Sequence, residues 1–207
     1  PTAPKITVFS AAANCRESPK KVPVNSCLEY QRVIIYNNKV FIHFKFSLTN
    51  VFGSYQDRGI MAVLDIQKYP EPVLKEKARP VERITDGILC LIDDMADTMY
   101  EAPGIGLAAN QVGALHRVIV FDVTPKEAGR NPSVIINPEI IASEGSLVHQ
   151  EACLSVIDYS CDVRRHACVI VAGLDRQGKP LQIEARDLLA VVLQHEIDHL
   201  DGILFID

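Results

Sequence analysis

No run of apolar residues in this 207-residue sequence approaches the roughly 20 that a membrane-spanning helix needs. The longest candidate, Leu188 to Leu193, has the length of a core segment. No charged start followed by an apolar stretch and a cleavage site opens the sequence, so no secretory signal is read. The six cysteines, Cys15, Cys27, Cys90, Cys153, Cys161 and Cys168, lack the dense spacing of a disulfide framework, and a chain this long does not need staples. Reduced thiols in a cytosol-like compartment follow, with any special cysteine acting as ligand or nucleophile. Basic excess is missing as well. A formal net charge of −5 argues against general nucleic-acid binding, which needs a clustered basic face. No internal repeat is visible. What remains is a soluble globular composition, 48% hydrophobic and 23% charged, suited to one domain with an appendage.

The charge is unevenly distributed. Residues 1–60 hold 8 Lys/Arg against 3 Asp/Glu, a balance of +5; the remainder holds 13 against 23, a balance of −10, and the two sum to −5. Residues 1–30 mix Pro, Ala, Ser, Asn and Lys without periodicity, which predicts disorder. Val40 to Leu48 alternates apolar and polar residues and predicts one strand. Three readings of residues 1–60 compete: an organelle transit peptide, an ordered extra element, or a non-native extension ahead of an enzyme that begins at Met61. The third is preferred, because Ala62 to Ile66 and the Pro-rich stretch Tyr69–Pro72 resemble the start of an independent domain. A cytoplasmic location follows from it, and an organelle from the first.

Within residues 61–207 the pattern predicts an amphipathic helix over Ile84–Glu101, with apolar residues at Ile84, Ile88, Leu91, Ile92, Met95 and Met99. Val118–Val123 and Val134–Asn137 read as buried strands. Cys168–Leu174 and Leu181–Ala185 read as a hairpin across the polar turn Asp175–Gly178. Asp187 is the expected N-cap of a last helix, Leu188 to about Asp201, with Gly202 as its stop. Helix, strands, then helix predicts an α+β fold of mostly antiparallel or mixed β-sheets, packed around the final helix.

That final helix carries Gln194-His195-Glu196-Ile197-Asp198-His199. Histidines at i and i+4 share one helix face, about 6 Å apart at Cβ, and can reach one metal ion. Glu196 is turned about 100° from His195, beside the metal's open position, where it can take a proton from water. The apolar run before His195 buries this helix, and buried polar groups need partners. Catalytic metals usually take three protein ligands and leave one place open. Only Asp201 and Asp207 follow as acids, and neither fits a peptidase pattern, so the third ligand is expected upstream.

Upstream stand Gly104-Ile105-Gly106-Leu107-Ala108-Ala109-Asn110-Gln111 and Glu151-Ala152-Cys153-Leu154-Ser155. Together with the QHExDH helix, in this order, these motifs resemble the peptide deformylase family over roughly Met61 to Asp207. The resemblance implies a metal-dependent hydrolase that removes the formyl group from the N-terminal formyl-methionine of new proteins. It makes Cys153, His195 and His199 ligands of one divalent ion; iron(II) is favoured, and zinc, nickel or cobalt would also suit a thiolate and two imidazoles. It gives Glu196 the proton transfers, and the Gln111 side-chain amide and Leu154 backbone N–H the developing oxyanion. Gly104, Ile105, Gly106, Leu188, Val191 and Val192 become candidates for the substrate slot, with Glu151 and Arg165 as supporting groups. The implied partner is a nascent formyl-methionyl chain at the ribosome, met by a monomer without sequence-specific nucleic-acid contacts or a membrane.

Three departures stand out. Ala152 occupies a position where the family usually has Gly; a φ > 0 there would cost an alanine on the order of 1 kcal/mol and could misplace Cys153. Ile157 stands where Pro is common, and the sequence stops at Asp207 without the C-terminal helix of many members. Three rivals remain: a HExxH peptidase, which would need a further downstream ligand; a non-catalytic relative that keeps the fold as a binding module; and a purely structural metal, which would predict a fourth protein ligand and no open position.

Overall fold

The computed structural model describes residues 63–207 and, upstream, two two-residue strands, β1 (Ile35–Tyr36) and β2 (Lys39–Val40), which pair antiparallel with each other. The expectations of disorder over residues 1–30 and of a strand over Val40–Leu48 lie, Val40 apart, outside the described residues.

Helix α1 spans Asp86–Glu101. It starts two residues later than its apolar pattern, because Thr85 caps it by accepting a hydrogen bond from the Ile88 N–H at 3.4 Å. Ile88, Ile92, Met95 and Met99 form its buried stripe, and Pro103 follows its end with a positive φ of 20°.

A five-stranded, wholly antiparallel sheet runs in the order β3 (Gly106–Ala108), β4 (Val118–Phe121), β5 (Ser133–Glu144), β8 (Cys168–Leu174), β9 (Pro180–Arg186). The intervening strands β6 (Leu147–Cys153) and β7 (Val156–Arg165) form a separate antiparallel pair. Strand β4 explains the layering, since successive side chains point to opposite faces. Val118 and Val120 join the α1 stripe in one core cluster. Ile119 and Phe121 face a second cluster built on the last helix, α2 (Asp187–Leu200), through Leu189, Leu193 and Ile197. The sheet is thus covered by α1 on one side and by α2 on the other, and the HExxH helix is central as predicted.

The hairpin of β8 and β9 matches its expected position; Asp175 Oδ1 ties its turn by accepting from the N–H groups of Gln177 and Lys179, both at 2.8 Å. The strand predicted over Val134–Asn137 continues to Glu144, past a register shift after Ile136 where Asn137 adopts φ 53°. Asp187 is the first residue of α2 rather than its cap: Arg186 holds the cap position without a side-chain bond, and Asp187 itself has φ 51°. Gly202 ends the helix in the left-handed conformation, φ 74°, with its N–H donating to the His199 carbonyl at 3.0 Å. No helix among the described residues is long and apolar enough to cross a membrane.

Candidate metal centre and active site

Helix α2 fixes two of the three candidate ligands. One turn apart, the His195 and His199 rings meet edge to face with centroids 4.8 Å apart. Cys153 comes from the end of β6, where the ladder breaks: Ala152 pairs with Ser160 but Cys153 with Val156, so Ile157, Asp158 and Tyr159 bulge outward on β7. Asp158 absorbs the bulge with φ 57°. The result places Cys153 Sγ 3.1 Å from His199 Nε2. One donor atom from each of Cys153, His195 and His199 lies within 4.8 Å of the others. Metal–ligand bonds of about 2.0–2.3 Å allow one ion to touch all three, so the donor set fits a divalent cation of borderline softness.

The protonation states support that fit. His195 Nδ1 faces Glu151 Oε2 at 2.8 Å, which turns Nε2 toward the centre. Burial alone would lower the His195 pKa, but its bonds to Cys153 and Glu151 outweigh this and hold it up to about 10. The cluster therefore attracts positive charge at that spot, and a cation can replace the proton. Burial pushes His199 well below the usual histidine range, leaving its imidazole neutral. Glu151, although buried, is held down to about 2 by its hydrogen bonds to His195 and Arg165. Arg165 grips it with two bonds, 2.7 and 3.0 Å, and turns a third nitrogen to Asp198. Glu151 and Arg165 thus support His195 from behind.

Glu196 is 4% exposed, and burial raises its pKa to about 7. Its Oε2 has no hydrogen-bond partner among the described residues. The other face of the carboxylate lies against Gly106 of β3, so closely that a Cβ there would sit 2.9 Å from Glu196 Cδ. Gln111 sits in a short 3-10 helix (Ala109–Val112), where its Oε1 accepts from the Ala108 N–H at 2.8 Å. That bond aims the amide Nε2 at Ser155 Oγ (3.1 Å) and Cys153 Sγ (3.5 Å).

A cavity of about 430 Å³ opens onto these groups. Every predicted ligand, catalytic group and slot residue lines it except His199, which is buried beneath; Gly104, Ile105, Gly106, Leu154, Leu188, Val191 and Val192 are all in its wall. Of the two supporting groups, Glu151 lines it and Arg165 does not. Ile105 and Leu188 are exposed at the mouth, while Val191 and Val192 are buried. His149 joins that wall. Ala152 also lines it, from the extended run of β6. Among the described residues the non-glycine positions with positive φ are Pro103, Asn137, Asp158 and Asp187, so the alanine carries no backbone penalty. Ile157 is an exposed residue of the bulge.

Three further polar residues of these motifs hold the site together. Asn110 donates its side-chain amide to the His199 carbonyl. Gln194 locks the β7–β8 corner to α2, with its Oε1 accepting from the His166 N–H and its Nε2 donating to the His166 carbonyl, both at 3.0 Å. Ser155 receives Gln111. For Asn110 and Gln194 the sequence carries a signal, a polar side chain directly after an apolar run; Ser155, among Glu, Cys and Leu, carries none.

A HExxH helix with a cysteine sulfur from a neighbouring strand and an open cavity defines a metal-dependent hydrolase. Residues 63–207 match the polypeptide deformylase family. The peptide deformylase of Syntrophobacter fumaroxidans is 54% identical over 147 residues, 71% of this chain and 86% of that protein. The crystal structure of a peptide deformylase from Legionella pneumophila superposes with a TM-score of 0.68 at 44% identity, covering 70% of this chain and 85% of the other. A Met-Ala-Ser-bound peptide deformylase from Acinetobacter baumannii superposes at 0.66 and 36% identity, covering 71% and 98%. The chain belongs to the peptide deformylase family. Its reaction is the hydrolytic removal of the formyl group from the N-terminal formyl-methionine of newly made polypeptides, and the peptidase and binding-module readings fall away.

Proposed function

We propose that Cys153, His195 and His199 hold a single divalent ion, iron(II) in the native protein, and that Glu196, Gln111 and Leu154 complete the deformylase machinery. The observation that carries this reading is the convergence of the three donor atoms within 4.8 Å beside the unpartnered Glu196 carboxylate oxygen. A cation held by these three residues would acidify a water molecule and polarise the formyl carbonyl. Glu196 takes a proton from the attacking water as it adds to the formyl carbon. Gln111 Nε2 and the Leu154 N–H donate to the formyl oxygen as it gains charge. Glu196 then returns the proton to the departing amine, leaving formate and a free N-terminus. The methionine side chain enters the wall formed by Leu188, Val191 and Val192, with Ile105 at the mouth. Glycine at 104 and 106 lets the peptide run close to the β3 backbone.

The protein is expected to release formate from a formyl-Met peptide, and none from the acetyl-Met control, when purified anaerobically with iron or nickel. A chelator should stop release. Equal turnover of the acetyl peptide, or turnover untouched by the chelator, would overturn the reading. We place the catalytic unit within residues 61–207 and its action in the cytosol, as a monomer working on chains that emerge from the ribosome. A protein starting at Met61 should therefore keep the full rate; failure to fold or turn over would give residues 1–60 a part in the enzyme.

A further inference from the structure

Residues Gln67, Lys68 and Tyr69 form a strap across the back of the site. The Gln67 N–H donates to the Gln111 carbonyl at 2.7 Å, and the Tyr69 N–H to the Ser155 carbonyl at 2.8 Å. Between them the Lys68 ammonium donates to the Leu154 carbonyl at 2.5 Å. That carbonyl belongs to the peptide unit whose other end is the Ser155 N–H, and the Ser155 N–H points at Cys153 Sγ, 3.3 Å away. Lys68 and the thiol thus sit at opposite ends of one amide. A cation on the oxygen polarises the amide and strengthens its N–H as a donor, because hydrogen bonds in series reinforce one another.

We propose that Lys68 is a positioning residue for the metal centre, drawing electron density from the Cys153 thiolate through the Leu154–Ser155 peptide and so keeping the bound ion a stronger Lewis acid. This rests on Cys153 being a metal ligand. A thiolate is a strong electron donor, and a hydrogen bond to its sulfur reduces that donation. The two backbone bonds on either side hold the strap without help from the ammonium. Removing the charge therefore leaves the loop in place, and the electronic effect can be read alone. Lys68 is exposed, so water screens part of its field and the effect falls at the low end for an outer partner of a ligand.

The test compares the full chain with Lys68→Met and Lys68→Arg, each loaded with cobalt(II). The thiolate-to-cobalt charge-transfer absorption reports the sulfur directly. In Lys68→Met the band should move to lower energy, kcat on a formyl-Met peptide should fall by up to about tenfold, and KM should stay unchanged. Lys68→Arg should restore both. A band present in the wild type and unmoved in Lys68→Met would overturn the proposal while leaving the deformylase reading intact. A wild type with no thiolate band would overturn the ligand assignment of Cys153, and the proposal with it.

Discussion

Glu196→Gln is expected to lower formate release by about 10²–10⁴-fold, the usual contribution of a positioned general base, while the protein still binds one metal ion per chain. The substitution preserves shape, so the contact with Gly106 and the packing of α2 survive. What it removes is the capacity to accept a proton. Burial holds this carboxyl up to about 7, far above an exposed glutamate, and its Oε2 finds no hydrogen-bond partner among the described residues. Burial at that expense is unusual for a merely structural residue, because a buried polar atom without a partner costs stability. A cation held by His195, one helical position away, would favour the ionised form, which is the form that accepts a proton from water. Metal content by elemental analysis and formate release on the same preparation make the check. Loss of the metal would show Glu196 to be structural, and retained turnover would remove it from proton transfer.

The sequence disclosed the parts of the site that follow from helix geometry. His195, Glu196 and His199 are related by the 3.6-residue period alone, so their disposition needs no tertiary information. The same holds for the α1 stripe and for β4, whose unbroken apolar run matches a strand covered on both faces. Strand β6 was hidden for a physical reason. Its inward positions are filled by His149, Glu151 and Cys153, polar or reactive groups used by the site, so the apolar alternation that normally marks a strand is absent. For the same reason Cys153 entered only by resemblance to a family: nothing in a lone cysteine says that a bulge will swing it onto a helix. The extension of β5 beyond Asn137 was masked by the Asn137-Pro138 pair, which locally reads as a stop, and the sheet overrides it through a register shift. Lys68 was invisible, since its partner lies 86 residues away.

Gly106→Ala is expected to cost about a hundredfold in kcat/KM, the scale attached to displacing a catalytic group by roughly 1 Å. A Cβ on residue 106 would lie 2.9 Å from Glu196 Cδ and 3.0 Å from Cγ, with Oε1 closer still. Something must shift, and the backbone is the less able of the two. Residue 106 pairs with Phe121, and its neighbour Leu107 is fully buried in the α1 core cluster. The carboxylate, at the end of a flexible side chain on the cavity wall, gives way instead and leaves its seat beside the candidate ligands. Part of the strain also reaches the fold, as an overpacked core usually loses about 1–3 kcal/mol, which thermal unfolding would register. A double-variant cycle separates this from a simple blockage of the cavity. If the alanine acts by displacing Glu196, it should add almost nothing to Glu196→Gln, because that residue no longer accepts a proton. If the two losses multiply, Gly106 serves the approach of the substrate backbone instead. Formyl-Met peptides measured below KM with all four proteins distinguish these outcomes, and non-additivity is the result the close contact between Gly106 and Glu196 demands.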